Sequence, residues 1–169
     1  THFFNPPRYM RLLEIVTCLK TDPKAAERIR KFADEYMGKS VVTAKDTPGF
    51  IANRIGTFWL QAGVTKAVHQ GIGVEEADAV LGRPAGIPRT GIFGLLDLVG
   101  LDLMPHVLSS FEIALPDDDP FQALGKAPAL LDQMIADGYT GRKGKGGFYR
   151  LNTANGNKVK EVINLQTGN

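Results

Sequence analysis

Lys45-Asp46-Thr47-Pro48-Gly49-Phe50-Ile51-Ala52-Asn53-Arg54 divides this chain into two kinds of sequence. Before it, apolar residues come in short runs of strand length. After it, they recur at helical spacing. Thr47 suits a helix N-cap and Pro48 the first helical position, because a cap hydroxyl accepts an orphan amide and proline has no amide to satisfy. Ile51, Ile55, Phe58, Trp59 and Ala62 then fall on one face. The pattern predicts a helix from Pro48 to about His69, closed by Gly71 and Gly73.

Upstream, Phe3-Phe4 reads as a short strand and Leu12-Leu13-Glu14-Ile15-Val16 as a second, with Asn5-Pro6-Pro7 breaking the chain between them. Such a pair of strands can bring His2 and Glu14 together. A neutral imidazole accepts a proton from an alcohol, and a carboxylate on its far nitrogen orients the ring and stabilises the imidazolium. A glutamate within an apolar strand needs such a partner, since burying an unpaired charge is costly. Asp22 and Pro23 start a helix whose stripe is Ala25, Ile29, Phe32, Ala33 and Tyr36, ended by Gly38. Ser40-Val41-Val42-Thr43 is a β-branched strand. Residues 1–45 therefore read strand, strand, helix, strand. That is too little for an independent domain and suits the trailing edge of a larger sheet.

Downstream, Val74 to Leu81 reads as a short helix with Glu75 and Glu76 in its first turn, where the helix dipole favours them. Residues 82–88 form a loop. Helices follow over 91–99 and 101–114, divided near Gly100, and over Pro128 to Asp137. Pro116-Asp117-Asp118-Asp119-Pro120 is a solvated turn, because no spacing of further ligands supports a metal cage. Phe148 to Leu151 is a short strand or an extended tail. Residues 151–169 are polar and read as a linker, with a turn signal at Asn155-Gly156 and a weak strand over Val159 to Leu165.

The whole chain has 169 residues, 43% of them hydrophobic, enough for one sizeable core. Its formal charge of +2 argues against an electrostatic nucleic-acid binder. No apolar run approaches the ~20 residues of a membrane span. A single cysteine, Cys18, excludes an internal disulfide, fits a reducing, cytoplasmic compartment, and is expected in the core or at its boundary. His69 and His106 have no metal-ligand spacing with His2 or each other, so no metal site is expected. The chain lacks a starting Met and begins inside a strand motif, which reads as a fragment of a longer protein. No Gly-x-Gly-x-x-Gly is present: Gly71 and Gly73 meet Glu76, and Gly144 and Gly146 meet Tyr149, where the third glycine should fall.

His2-Phe3-Phe4-Asn5-Pro6, Glu14 in an apolar strand, and Asp46-x-Pro48-Gly49-Phe50-x-x-Asn53-Arg54 occur in one order. Leu95-Leu96-Asp97-Leu98-Val99-Gly100-Leu101-Asp102 and Gly141-Arg142-Lys143-Gly144-Lys145-Gly146-Gly147-Phe148-Tyr149 follow. Over about residues 1–150 this resembles the 3-hydroxyacyl-CoA dehydrogenase family. The resemblance implies a mainly α chain: a helical C-terminal dehydrogenase domain over 46–150, preceded by a short β/α remnant of a Rossmann domain over 1–45, with 151–169 as the linker. It implies oxidation of an L-3-hydroxyacyl-CoA to the 3-ketoacyl-CoA in fatty acid β-oxidation, with NAD⁺ taking the hydride. His2 would be the general base, Glu14 its orienting partner and Asn53 the amide that positions substrate. The main NAD site would lie outside this chain, so the piece alone is expected to be inactive. The substrate partner would be an acyl-CoA, and the helical domain would form a homodimer.

The tail around Lys158 to Gly168 is similar to the join that follows this domain in multifunctional β-oxidation proteins that also carry an enoyl-CoA hydratase module. Two other readings stand beside the first. One is a non-catalytic helical dimerisation module using the apolar faces of residues 50–69 and 91–114. The other is a short-chain 3-hydroxybutyryl-CoA dehydrogenase. The basic loop Gly141–Gly147 could touch CoA phosphates, but a flexible turn before Phe148 and Tyr149 is the simpler expectation.

Overall fold

Strand β1 (His2–Phe3) pairs antiparallel with β2 (Leu12–Thr17), and β2 pairs parallel with β3 (Ser40–Lys45). The crossover between β2 and β3 is helix α1 (Pro23–Glu35). This computed structural model describes residues 1–86, 89–153 and 158–168, and the chain falls into two compact units, 1–56 and 57–169.

In the first unit the sheet order is β1-β2-β3. Its register sets His2 opposite Glu14. Helix α1 starts as its sequence dictates: Asp22 accepts the amide of Lys24 at 2.8 Å, and Pro23 occupies the first turn. Only Ala33 of its expected stripe is buried, while Ile29, Phe32 and Tyr36 remain exposed. Three short strands offer too little apolar surface to cover them. Lys39, just before β3, is buried. Its ammonium donates to the carbonyls of Pro7 and of Met10, the latter at 2.7 Å. This ties down the loop between β1 and β2, which contains a cis Asn5-Pro6 bond.

Helix α2 (Ala52–Gln70) begins four residues later than the sequence predicts. Gly49 and Phe50 both take left-handed conformations, with φ of 72° and 52°, and the Phe50 amide closes a turn onto the Thr47 carbonyl at 2.9 Å. Thr47 therefore does not cap this helix and Pro48 does not open it. Asn53 is the second helical residue, not one and a half turns in.

In the second unit, α3 (Val74–Val80), α4 (Gly91–Val99), α5 (Met104–Ala114) and α6 (Ala129–Ala136) join the body of α2. A short 3₁₀ turn at Leu101–Leu103 separates α4 from α5, at the division foreseen near Gly100. Val64, Ile92, Leu96, Leu101 and Phe111 fill the core, with Phe93 and Phe148 edge-to-face at 4.6 Å. Within the stretch 151–169, read from composition as a linker, the described residues instead contribute to this unit. Strand β4 (Tyr149–Asn152) pairs antiparallel with β5 (Val159–Val162), and Ile163 and Leu165 are buried in the core. The Asn155-Gly156 turn lies outside the described residues.

Two buried or half-buried carboxylates hold this unit together. Asp78, on α3, accepts the amides of Phe93 at 2.7 Å and Gly94 at 3.0 Å, and so caps α4. The Tyr149 hydroxyl donates to it as well, at 2.9 Å. Asp97, on α4, is 3% exposed and accepts the amides of Phe148 and Tyr149, each at 2.9 Å. The loop 141–147 must pass against Asp97 to make that contact. A methyl group at Gly147 would sit 2.6 Å from the Asp97 carboxyl carbon. The glycines there serve close packing. Among the described residues no single helix is long and apolar enough to cross a membrane.

Candidate active site

His2 and Glu14 meet. The His2 Nδ1 lies 2.7 Å from Glu14 Oε2. Glu14 is fully buried on the central strand, and the His2 side chain is 27% exposed. The other carboxylate oxygen, Oε1, accepts the amides of Ile51 at 3.0 Å and Ala52 at 2.9 Å. One carboxylate thus orients the imidazole and caps the first turn of α2. Burial pushes the Glu14 carboxyl up. The hydrogen bonds from His2, Ala52 and Ile51, with the attraction of the imidazole, outweigh it together and hold the group below its ordinary value.

An ionised carboxylate can only accept, so His2 Nδ1 carries the proton and donates it to Glu14. That leaves the Nε2 lone pair as the available base. Two aromatic rings fix the plane of the imidazole: Phe4, with centroids 4.6 Å apart at 62°, and Phe50, at 5.4 Å and 57°. A left-handed bulky residue is an outlier that costs about 1–3 kcal/mol. Phe50 holds that conformation in the turn that brings its ring to His2 and the next two amides to Glu14.

Asn53 follows Ala52, whose amide Glu14 holds, and its side chain is exposed. Among the described residues it makes no hydrogen bond to His2 or Glu14. Phe4, Phe50 and the amides of Ile51 and Ala52 were not foreseen as parts of the site. The signal for them was Gly49-Phe50 after Thr47-Pro48, a turn sequence that a helix reading overrode.

The crossover β2–α1–β3 does not form a phosphate cradle for a dinucleotide. Its βα turn, Cys18 to Asp22, contains no glycine, and the Asp22 carboxylate occupies the helix N-terminus where a pyrophosphate would need to sit. Cys18 is exposed rather than buried, because it lies in this turn, where its amide donates to Thr21 Oγ1 at 2.9 Å. No group of three or more metal-ligating side chains occurs among the described residues.

A family model for the C-terminal domain of 3-hydroxyacyl-CoA dehydrogenase matches residues 49–151. The chain belongs to the 3-hydroxyacyl-CoA dehydrogenase family. The model for the NAD binding domain of that family matches residues 1–47. A putative fatty acid oxidation complex trifunctional enzyme of Rickettsia prowazekii is 45% identical over 98% of this chain, which spans 23% of that protein. A probable 3-hydroxyacyl-CoA dehydrogenase of Bacillus subtilis is 41% identical over 89% of the chain and 19% of its own length. Among solved structures, FadB2 of M. tuberculosis superposes with a TM-score of 0.74 at 35% identity, covering 89% of this chain and 51% of that one. The 3-hydroxybutyryl-CoA dehydrogenase of Escherichia coli gives 0.71 at 31% identity, over 84% of this chain and 29% of that one. The chain thus spans about a quarter or less of the length of these two sequence relatives.

Proposed function

We propose that this chain carries the proton-transfer machinery of an L-3-hydroxyacyl-CoA dehydrogenase of fatty acid oxidation. The observation that supports it is the Glu14 carboxylate, one oxygen on His2 Nδ1 and the other on the amides of Ile51 and Ala52. Nε2 of His2 takes the proton of the substrate 3-hydroxyl as the C–O bond gains double-bond character. The imidazolium so formed is stabilised by Glu14, which is ionised and cannot turn away. Phe4 and Phe50 keep the ring in plane, which lowers the cost of aligning it with the hydroxyl. Asn53, rigidly based in the first turn of α2, donates its amide to the oxygen that becomes the ketone.

The oxidation also needs an acceptor for the hydride, which in this family is NAD⁺. The β2–α1 turn of this chain does not fit its pyrophosphate, so its main site belongs to other parts of the NAD binding domain. The isolated chain is therefore inactive as a dehydrogenase. The family-model match over residues 1–47 supports reading β1 to β3 as the closing part of that domain.

The test is NADH formation from an L-3-hydroxyacyl-CoA by a protein that joins these residues to a complete NAD binding domain. His2→Ala should lower kcat by about 10²–10⁴, the usual contribution of a positioned acid–base group. Activity kept within about tenfold would remove His2 as the base.

A further inference from the structure

Strand β1 is two residues long, and its pairing with β2 is what carries His2 to Glu14. So short a strand does not fix its own approach. The connection between the two, residues 4–11, leads straight out of β1 through Phe4, whose ring lies against the imidazole. Within it the amides of Tyr9 and Met10 converge on the Pro6 carbonyl, at 3.0 and 3.1 Å. The carbonyls of Pro7 and Met10 accept instead from the ammonium of Lys39. The same ammonium lies 5.9 Å from the ring centroid of Phe3, on β1 itself.

Lys39 is a firm point from which to hold that loop. Its own amide donates to the Ala33 carbonyl of α1 at 2.9 Å, and the next amide, of Ser40, donates to the Arg11 carbonyl at 2.9 Å, where β3 meets the start of β2. The residue is 8% exposed, and among the described residues its ammonium has no carboxylate in contact. A buried cation held by neutral carbonyls is a poor device for stability, because desolvation offsets much of what the hydrogen bonds return. It is a good device for geometry. An ammonium has three donors and no acceptor, so it draws both carbonyls to one point. Glu14 grips a single atom of the imidazole, Nδ1, and leaves the tilt of the ring open. That tilt depends on the rings of Phe4 and Phe50, and Lys39 meets the chain before and after Phe4, at Phe3 and at Pro7.

We propose that Lys39 is a positioning residue for proton transfer: it aims His2 Nε2 by fixing β1 and Phe4, acting through them rather than on the reacting atoms. The inference rests on the reading of His2 as the base. The dehydrogenase completed with its NAD binding domain tests it. Lys39→Met keeps a long side chain and removes the donors. It should lower kcat about 10- to 100-fold, the scale of a misaligned reacting group. KM should stay within about threefold, because aim matters in the transition state and not in binding. Nitrogen NMR should still find the His2 proton on Nδ1, since Glu14 is intact. Ala33→Gly loosens the buried contact of α1 in the same unit and keeps the ammonium, so it should leave kcat within about threefold. If circular dichroism shows Lys39→Met unfolded, Lys39→Gln, too short to meet both carbonyls, carries the same expectations. The proposal is overturned if the folded variant keeps the wild-type kcat, if KM rises as much as kcat falls, if the His2 proton moves to Nε2, or if Ala33→Gly is equally slow. His2→Ala separates the two readings. Full activity there removes the base itself, whereas an inactive His2→Ala beside a fully active Lys39→Met removes only the role of Lys39.

Discussion

Glu14→Gln changes one atom and reverses the hydrogen bonding at His2. A carboxylate satisfies three donors at once: His2 Nδ1 on one oxygen, and Ile51 and Ala52 on the other. Glutamine keeps one oxygen and gains a donor. The two backbone amides claim the oxygen, because an unmet donor at a covered helix start costs about 1–3 kcal/mol. The amide NH₂ then faces Nδ1, which must become an acceptor, and the ring proton moves to Nε2. The base is lost. Stability should fall by only about 1–2 kcal/mol, since every donor still has a partner and only the charge is gone. Activity of the complete dehydrogenase should fall by about 10²–10⁴. Acid adds a second signature. Burial raises the Glu14 carboxyl, but its hydrogen bonds hold it below its ordinary value. Its contribution is therefore present above the ordinary carboxylate range and is lost as pH falls through the lower, folded-state value. Glutamine does not titrate, so the stability gap between the two proteins should close on acidification. Urea denaturation at neutral and acid pH measures the gap, and nitrogen NMR of His2 reads the tautomer. An unprotonated Nε2 in both proteins, or a gap that widens in acid, would refute the reasoning.

Gly147→Ala should cost about 3 kcal/mol, seen as a lower Tm, because its methyl would press on an Asp97 carboxylate that two amides hold fixed. Tyr149→Phe should cost about 1 kcal/mol at neutral pH, through loss of the bond to Asp78. Burial and the Asp78 contact push the Tyr149 phenol above its ordinary value of 10.0, so its stabilisation is complete below that value and is lost as pH rises through the folded-state one. The difference between wild type and Tyr149→Phe in urea denaturation should therefore shrink in alkali.

Local pattern carried much of the fold. The Asp22-Pro23 start of α1, the Gly100 break between α4 and α5, and the strands around Glu14 all come from propensity and periodicity within a few residues. What local pattern could not carry are contacts across long stretches of chain. The start of α2 is set by Glu14, 37 residues before Ile51, and no window around Thr47-Pro48 contains that partner. Lys39 reads as one more surface lysine, and only the folded loop offers it the carbonyls of Pro7 and Met10. Asp97 stood within a recognised motif, yet its partners at Phe148 and Tyr149 are about 50 residues further on. Ile163 and Leu165 were hidden in another way, because their short polar surroundings resemble a tether until β5 pairs with the nearby β4. For the candidate site, the pairing of His2 with Glu14 was legible because alternating strands joined by a proline-rich loop have few ways to align. The flanking rings of Phe4 and Phe50 were not, because an unusual backbone angle delivers one of them.

The shared use of Glu14 has a cost in adaptability. Fraying at the head of α2 would free the two amides, let the carboxylate swing, and leave the imidazole ungoverned in the same event. Aspartate, one methylene shorter, could reach the ring or the helix but not both. Any drift toward a looser helix start in this chain would therefore forfeit the proposed proton acceptor along with it, and rigidity there is a condition of the proposed chemistry rather than an accompaniment to it.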